Sequence, residues 1–132
     1  MFNMNAIDTI ASQIVDSAFK IHKELGPGLL ESAYEACLEH ELNKRGFHVE
    51  RQKDQPIYYD GFIIDVGYRL DLVINDLVII ELKAVTELAP IHQAQLTTCL
   101  KLSRKSLGLL INFNVPLIKN GIRRIANQFQ ES

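Results

Sequence analysis

The chain has 132 residues, is 47% hydrophobic and carries a formal net charge of −2. That length supports one domain with a real core, and the acidic balance excludes a generally basic nucleic-acid coat, although phosphate contact needs only a local basic surface. No apolar run approaches the ~20 residues of a membrane span, Met1 to Asn5 lacks the basic start of a secretory signal, and Cys37 and Cys99 show no metal-type spacing. The expectation is a cytoplasmic protein with reduced thiols and no membrane partner.

In chain order, Ile7, Ile10, Ala11, Ile14, Val15, Ala18, Phe19, Ile21 and Leu25 recur at helical spacing and predict a helix over about Asn5 to Leu25. Gly26-Pro27-Gly28 ends it. A second helix is expected from Leu30 to Arg45, with Ala33, Tyr34, Cys37, Leu38 and Leu42 inward and Gly46 as its cap. Phe47 to Glu50 reads as a short strand, and Arg51 to Gln55 as a polar loop or strand edge. Ile57-Tyr58-Tyr59, Asp60-Gly61 and Phe62-Ile63-Ile64 form a strong tight-hairpin signal. Beyond the central stretch, Pro90 opens a helix that runs to about Lys105. Leu107 to Phe113 has the composition of a buried strand, and Ile118 to Ile125 that of an edge strand. This order gives an α/β layer fold.

Gly67 to Ala84 is the centre of the chain: two apolar, β-branched runs around Asn75-Asp76, with Asp71, Glu81 and Lys83 set into them. Charged side chains are rarely buried without a partner or a metal. A strict two-residue turn would put Asp71 and Glu81 on opposite faces. A three-residue connection, Asn75 to Leu77, or one bulge brings Asp71, Glu81 and Lys83 together and leaves Leu70, Leu72, Ile74, Val78, Ile80 and Leu82 on the other face. The second register segregates the charges and is the expected one. Two carboxylates on neighbouring strands suit a hard divalent cation such as magnesium. A lysine two residues on could orient water or neutralise a phosphate oxygen. The plainer alternative is an ion pair on a solvated sheet face.

Asp71 followed by Glu81-Leu82-Lys83 after a hairpin turn resembles the active-site signature of the PD-(D/E)XK nuclease superfamily, with Leu70 where a proline is common. Gly67-Tyr68-Arg69-Leu70-Asp71 resembles a motif of the RecB-like branch. Gln95-Leu96-Thr97-Thr98-Cys99 is similar to its glutamine-x-x-x-tyrosine helix, with Cys99 in the tyrosine's place. Gly28-Leu29-Leu30-Glu31-Ser32-Ala33-Tyr34 matches the motif of the GxxExxY family. The resemblance spans about Gly26 to Ile125. It implies a single nuclease-like domain over 1–132, with an N-terminal helix over 1–25 and a restriction-endonuclease-like core over 26–127, a mixed central sheet flanked by helices.

The resemblance further implies Mg2+ or Mn2+ on Asp71 and Glu81, with the Leu82 carbonyl and Glu31 as further ligands, and Lys83 and Gln95 as catalytic support. Tyr34, Arg69 and Lys101 are the candidate substrate contacts, Tyr34 having core packing as its plainer role. The implied activity is metal-dependent hydrolysis of phosphodiester bonds, in DNA more than RNA, with a homodimer possible. Cys99 cannot supply a phenol, and that departure, with the acidic balance, motivates the alternative of a catalytically weak or inactive nucleic-acid- or protein-binding accessory protein on the same scaffold.

Overall fold

The apolar stripe of the first segment forms α1, Met4–Leu25, which buries Ile7, Ile10, Ala11, Ile14, Ala18 and Ile21. Phe19 and Leu25, expected inward, are 43% and 46% exposed, because they lie at the margin of that stripe. The structure, a computed structural model, describes residues 4–127. Residues 1–3 and 128–132 of the expected domain lie outside the described residues.

After the glycine-proline turn, α2 runs over Glu31–Lys44 and ends with Gly46 in the left-handed region (φ 93), where glycine has no Cβ to clash. It buries Tyr34, Leu38 and Leu42 as expected, and also Glu35 and Glu41. Glu41 survives burial because it is paired twice. Lys20 Nζ lies 2.9 Å from Oε1 and Arg45 Nε 2.9 Å from Oε2, while Arg45 also reaches Asp16 on α1 at 2.8 Å. These hydrogen bonds, that from Lys20 foremost, hold the Glu41 carboxyl down at about 2. A carboxyl whose folded pKa is depressed stabilises the fold above its unfolded value near 4.5 and loses that stabilisation as pH falls toward 2. Glu41→Gln is therefore expected to cost about 1–2 kcal/mol at pH 7, moderated because Lys20 is partly solvated, and much less near pH 2. Urea titrations of both proteins at the two pH values read the difference.

The sheet holds β1, Val49–Asp54; β4, Arg69–Ile74; β5, Val78–Lys83; β6, Leu107–Asn112; and β7, Ile122–Ala126, in the order β1-β4-β5-β6-β7. Among the described residues only β5 and β6 pair in parallel, which requires a crossover; α3, Pro90–Ser103, supplies it. A 3-10 turn, Ile118–Gly121, precedes β7. β2, Ile57–Tyr59, and β3, Phe62–Ile64, form a separate two-stranded ribbon around Asp60-Gly61. Of the two readings of Arg51 to Gln55, loop or strand edge, the second holds for most of it: Val49–Asp54 pairs antiparallel with β4 as the sheet edge, and an edge strand tolerates polar residues.

Helices α1 and α2 cover one face through Leu72, Ile74, Val78, Ile80, Leu82, Leu109 and Ile111. On the other face Leu96 and Leu100 of α3 pack on Val73, Ile79, Leu110 and Ile125. The sheet is thus mixed and flanked by three helices, as expected. Leu70 is a correction: it packs with Leu96 and Leu100 and not with Leu72. Between the pairs Arg51–Leu72 and Lys53–Leu70, Gln52 adopts φ 53, so the regular pleat of the two strands is lost beside Asp71.

Candidate active site

The hairpin takes the three-residue connection. Ile74 pairs with Val78, Val73 with Ile79 and Leu72 with Ile80, while Asn75 and Asp76 are left-handed (φ 51 and 56) and Leu77 N–H closes on Ile74 O at 2.9 Å. The paired ladder ends there, and continuing its register by one residue sets Asp71 against Glu81. Here carboxylates accept main-chain hydrogen bonds: Leu82 N–H donates to Asp71 Oδ2 (2.8 Å) and Asp71 N–H to Glu81 Oε1 (3.4 Å). These bonds aim both acids into one place at the end of the paired region.

A third carboxylate, unforeseen in the sequence, stands behind them. Glu35 lies one turn after Glu31 on α2 and is only 4% exposed. Arg51 Nε donates to its Oε1 at 2.8 Å, and Gln52 Nε2 donates to its two oxygens at 2.9 and 3.1 Å. Gln52 Nε2 also lies 3.3 Å from Asp71 Oδ1. One edge-strand amide therefore links the α2 carboxylate to the β4 carboxylate, and the left-handed backbone of Gln52 accompanies that reach.

Electrostatics mark the pair as costly. Burial, then the charge of Asp71, pushes the Glu81 carboxyl up to about 8. Burial raises Asp71 as well, against the Leu82 N–H, and the charge of Glu35 adds to the rise. Burial and then Asp71 raise Glu31. Carboxylates that repel one another in a partly dry place are a frequent mark of functional sites. Lys83 lowers all three, yet among the described residues its Nζ is within ion-pair distance of no carboxylate. Lys83 as a residue is half-buried, and no dry ion pair removes it from chemistry.

The segment after Lys83 is fixed by Asn112, which faces Lys83 across the parallel ladder. Its buried amide accepts from Val85 N–H at 3.0 Å and Asn114 N–H at 3.2 Å, and donates to Val85 O at 2.9 Å. Gly121 packs so closely on this strand that a Cβ there would overlap the Asn112 carbonyl.

The remaining expected residues divide. Glu31 opens α2 half-buried, within electrostatic reach of Asp71 and Lys83. Gln95 is exposed on α3, and Cys99 lies one turn on, within electrostatic reach of the acids. Burial, then Glu81 and Asp71, raises its thiol to about 11. Arg69 is exposed and ion-paired to Asp54 at 3.5 Å. Lys101 is exposed further along α3. Tyr34 takes the plainer of its two expected roles, core packing, and not that of a substrate contact: it is fully buried, stacked on Phe113 with centroids 4.4 Å apart, and its hydroxyl donates to Gly26 O (2.6 Å) and accepts from Leu29 N–H (3.1 Å). It has nothing left to offer a substrate.

Among the described residues no three His, Cys, Asp or Glu side chains are grouped as metal ligands. The chemistry of Asp71 and Glu81 fits magnesium, which takes one or two carboxylates and completes its shell with water and substrate phosphate. Two carboxyls raised by burial and mutual repulsion are also the groups that a cation would relieve. Leu82, the further candidate ligand through its carbonyl, buries its side chain under the two helices and gives its N–H to Asp71.

The family model of the PD-(D/E)XK nuclease superfamily matches residues 8–125. No curated protein and no solved structure matches the chain.

Proposed function

The chain belongs to the PD-(D/E)XK nuclease superfamily, and from that premise we propose that it is a divalent-metal-dependent nuclease that hydrolyses phosphodiester bonds, in DNA before RNA, in the cytoplasm. The motifs around Glu31 and Gln95 support its place in the RecB-like, GxxExxY branch. The observation that carries the reading is the opposed Asp71–Glu81 pair with the unlocked Lys83 beside it.

Asp71 and Glu81 would hold Mg2+ or Mn2+. When bound, such a cation supplies positive charge at the phosphoryl oxygens and lowers the pKa of water. Gln52 and the Leu82 N–H fix the Asp71 carboxylate, so it does not rotate away between turnovers. Lys83 donates from its ammonium to the attacking water or a phosphate oxygen, and Asn112 keeps the chain after Lys83 in place. Glu31, raised by burial and then by the charge of Asp71, would exchange a proton with water near the site. Cys99 carries a thiol that stays neutral at ordinary pH, so it leaves the charge balance of the pair untouched.

The test is a cleavage panel on single- and double-stranded DNA and RNA with Mg2+, Mn2+ or chelator. Wild type is expected to cut with either metal and not in chelator, while Glu81→Ala and Lys83→Ala lose 100-fold or more, about the scale of one removed group in a preorganised site. Equal cleavage by all three proteins, or none by wild type, overturns the proposal.

A further inference from the structure

Two features near the carboxylates remain unexplained by them. The first is an open cleft of about 750 Å3 between the end of α3 and the start of the ribbon, whose walls include Lys53, Tyr58, Leu70, Lys101, Arg104 and Lys105. Of the charged residues that line it, four are basic and one, Asp54, is acidic and ion-paired to Arg69, on a chain of net charge −2. Lys53 pairs with Glu50 Oε1 at 3.2 Å and Asp76 Oδ1 at 3.4 Å, and Lys105 with Asp76 Oδ1 at 3.0 Å, which fixes their positions in the wall; Lys101 is an exposed cation of the same wall. The second is the β2–β3 ribbon, which stands apart from the main sheet. It exposes Tyr58, Tyr59, Phe62 and Ile63 by 59–70%, and Tyr68 just beyond it by 55%. Three of the chain's four tyrosines are thus exposed within eleven residues. A ribbon of three-residue strands is marginal alone in water, so such rings call for a function.

The two features meet. Tyr58 lines the cleft, and Tyr68 O accepts from the N–H of Gln55, another wall residue. The carboxylates do not line the cleft, but the same two elements carry both: Leu70 of its wall precedes Asp71 on β4, and α3 carries Lys101 of the wall as well as Cys99, whose thiol the charges of Glu81 and Asp71 raise.

Resting on the nuclease reading above, we propose that this cleft binds a single-stranded stretch of nucleic acid, its phosphates on Lys53, Lys101 and Lys105 and its bases stacked on Tyr58 and Tyr68, and leads it to Asp71 and Glu81. Cations that track a backbone beside exposed aromatic rings are the combination that single strands select, because an unpaired base offers the face that a duplex hides.

Binding is measured in chelator, by anisotropy of a labelled oligo-dT and of a duplex of equal length. Wild type is expected to prefer the single strand. Tyr58→Ala/Tyr68→Ala should weaken that binding about tenfold or more, Tyr58→Phe/Tyr68→Phe should restore it, and Lys101→Ala should lower the salt slope by about one. The phenylalanine pair keeps the test open if the alanine pair fails to fold. Single-strand affinity unchanged by removal of the rings, equal or tighter binding of the duplex, or a wild-type dimer that the alanine pair dissociates while binding persists would each overturn the proposal. The last result would give the ribbon to a second copy of this chain. Binding as proposed without cleavage in any metal would fail the nuclease reading alone, and cleavage that ignores the rings would fail this one alone.

Discussion

Glu81→Gln is expected to make the metal-free protein more stable and, at the same time, inactive. The Glu81 carboxyl is pushed up to about 8 by burial and by Asp71, against an ordinary 4.5. An acid whose folded pKa is raised binds more protons in the folded than in the unfolded state between those two values, so it subtracts stability as pH rises through the window from about 4.5 to 8. Wild type should lose stability across that window, on the order of 2–3 kcal/mol, because the charge shared with Asp71 spreads the titration over both groups. The glutamine variant should lose much less. Magnesium reverses the order: a cation that binds only the folded wild type raises its melting temperature in proportion to the logarithm of its concentration, while the variant gains little. Melts at pH 5 and pH 8, with and without Mg2+, give four values for each protein. A variant less stable than wild type at pH 8 without metal would show that the pair is not strained, and equal gains with Mg2+ would separate Glu81 from metal binding.

This opposition between stability and function is the physical reason that the hairpin was readable. Asp71, Glu81 and Lys83 contradict the apolar runs that carry them, and such a contradiction survives where a site needs it. The three-residue turn followed from the same clash, since only that register gathers the charges. The tight ribbon turn at Asp60-Gly61, the glycine cap of α2 and the crossover helix were equally local and equally legible. What could not be read depends on contacts remote in sequence. Glu35 looks like any exposed helix acid until β1 brings Arg51 and Gln52 against it, 16 and 17 residues later. The polar run Arg51 to Gln55 was ambiguous for the same reason: its hydrogen-bond partners lie on α2 and β4. The one usable signal was the i,i+4 spacing of Glu31 and Glu35, which puts two acids on one helix face. Leu70 defeated the alternation argument because the pleat is interrupted on the neighbouring strand, at a glutamine.

These contacts also indicate how the site is held from both strands that neighbour β4. Asp71 is fixed from β5 by the Leu82 N–H and from β1 by Gln52, and Gln52 is fixed from α2 by Glu35. The α2 helix is therefore a support of the site, and its own start has to be rigid for that support to work. The start is governed by Tyr34.

Tyr34→Ala is accordingly expected to be among the most damaging single changes in the chain. The ring is fully buried and lies nearly parallel to Phe113, 7° between planes, at the centre of the core under α1 and α2. Truncation of a buried aromatic costs about 3–5 kcal/mol, a large part of the stability of an ordinary domain. Tyr34→Phe isolates the hydroxyl. It keeps the stacked ring but leaves Gly26 O and Leu29 N–H, the two ends of the turn before Glu31, without their shared partner; about 1–3 kcal/mol should be lost. Glu31 begins α2 two residues after Leu29. A loosened turn should therefore lower kcat severalfold with KM little changed, because the exposed cleft cations and rings lie elsewhere. Urea denaturation of both variants, with steady-state cleavage by the phenylalanine variant, measures the two effects separately. Wild-type stability in Tyr34→Phe would remove the hydroxyl from the structural role assigned to it, and a rise in KM at constant kcat would return Tyr34 to the substrate contact that its burial argues against.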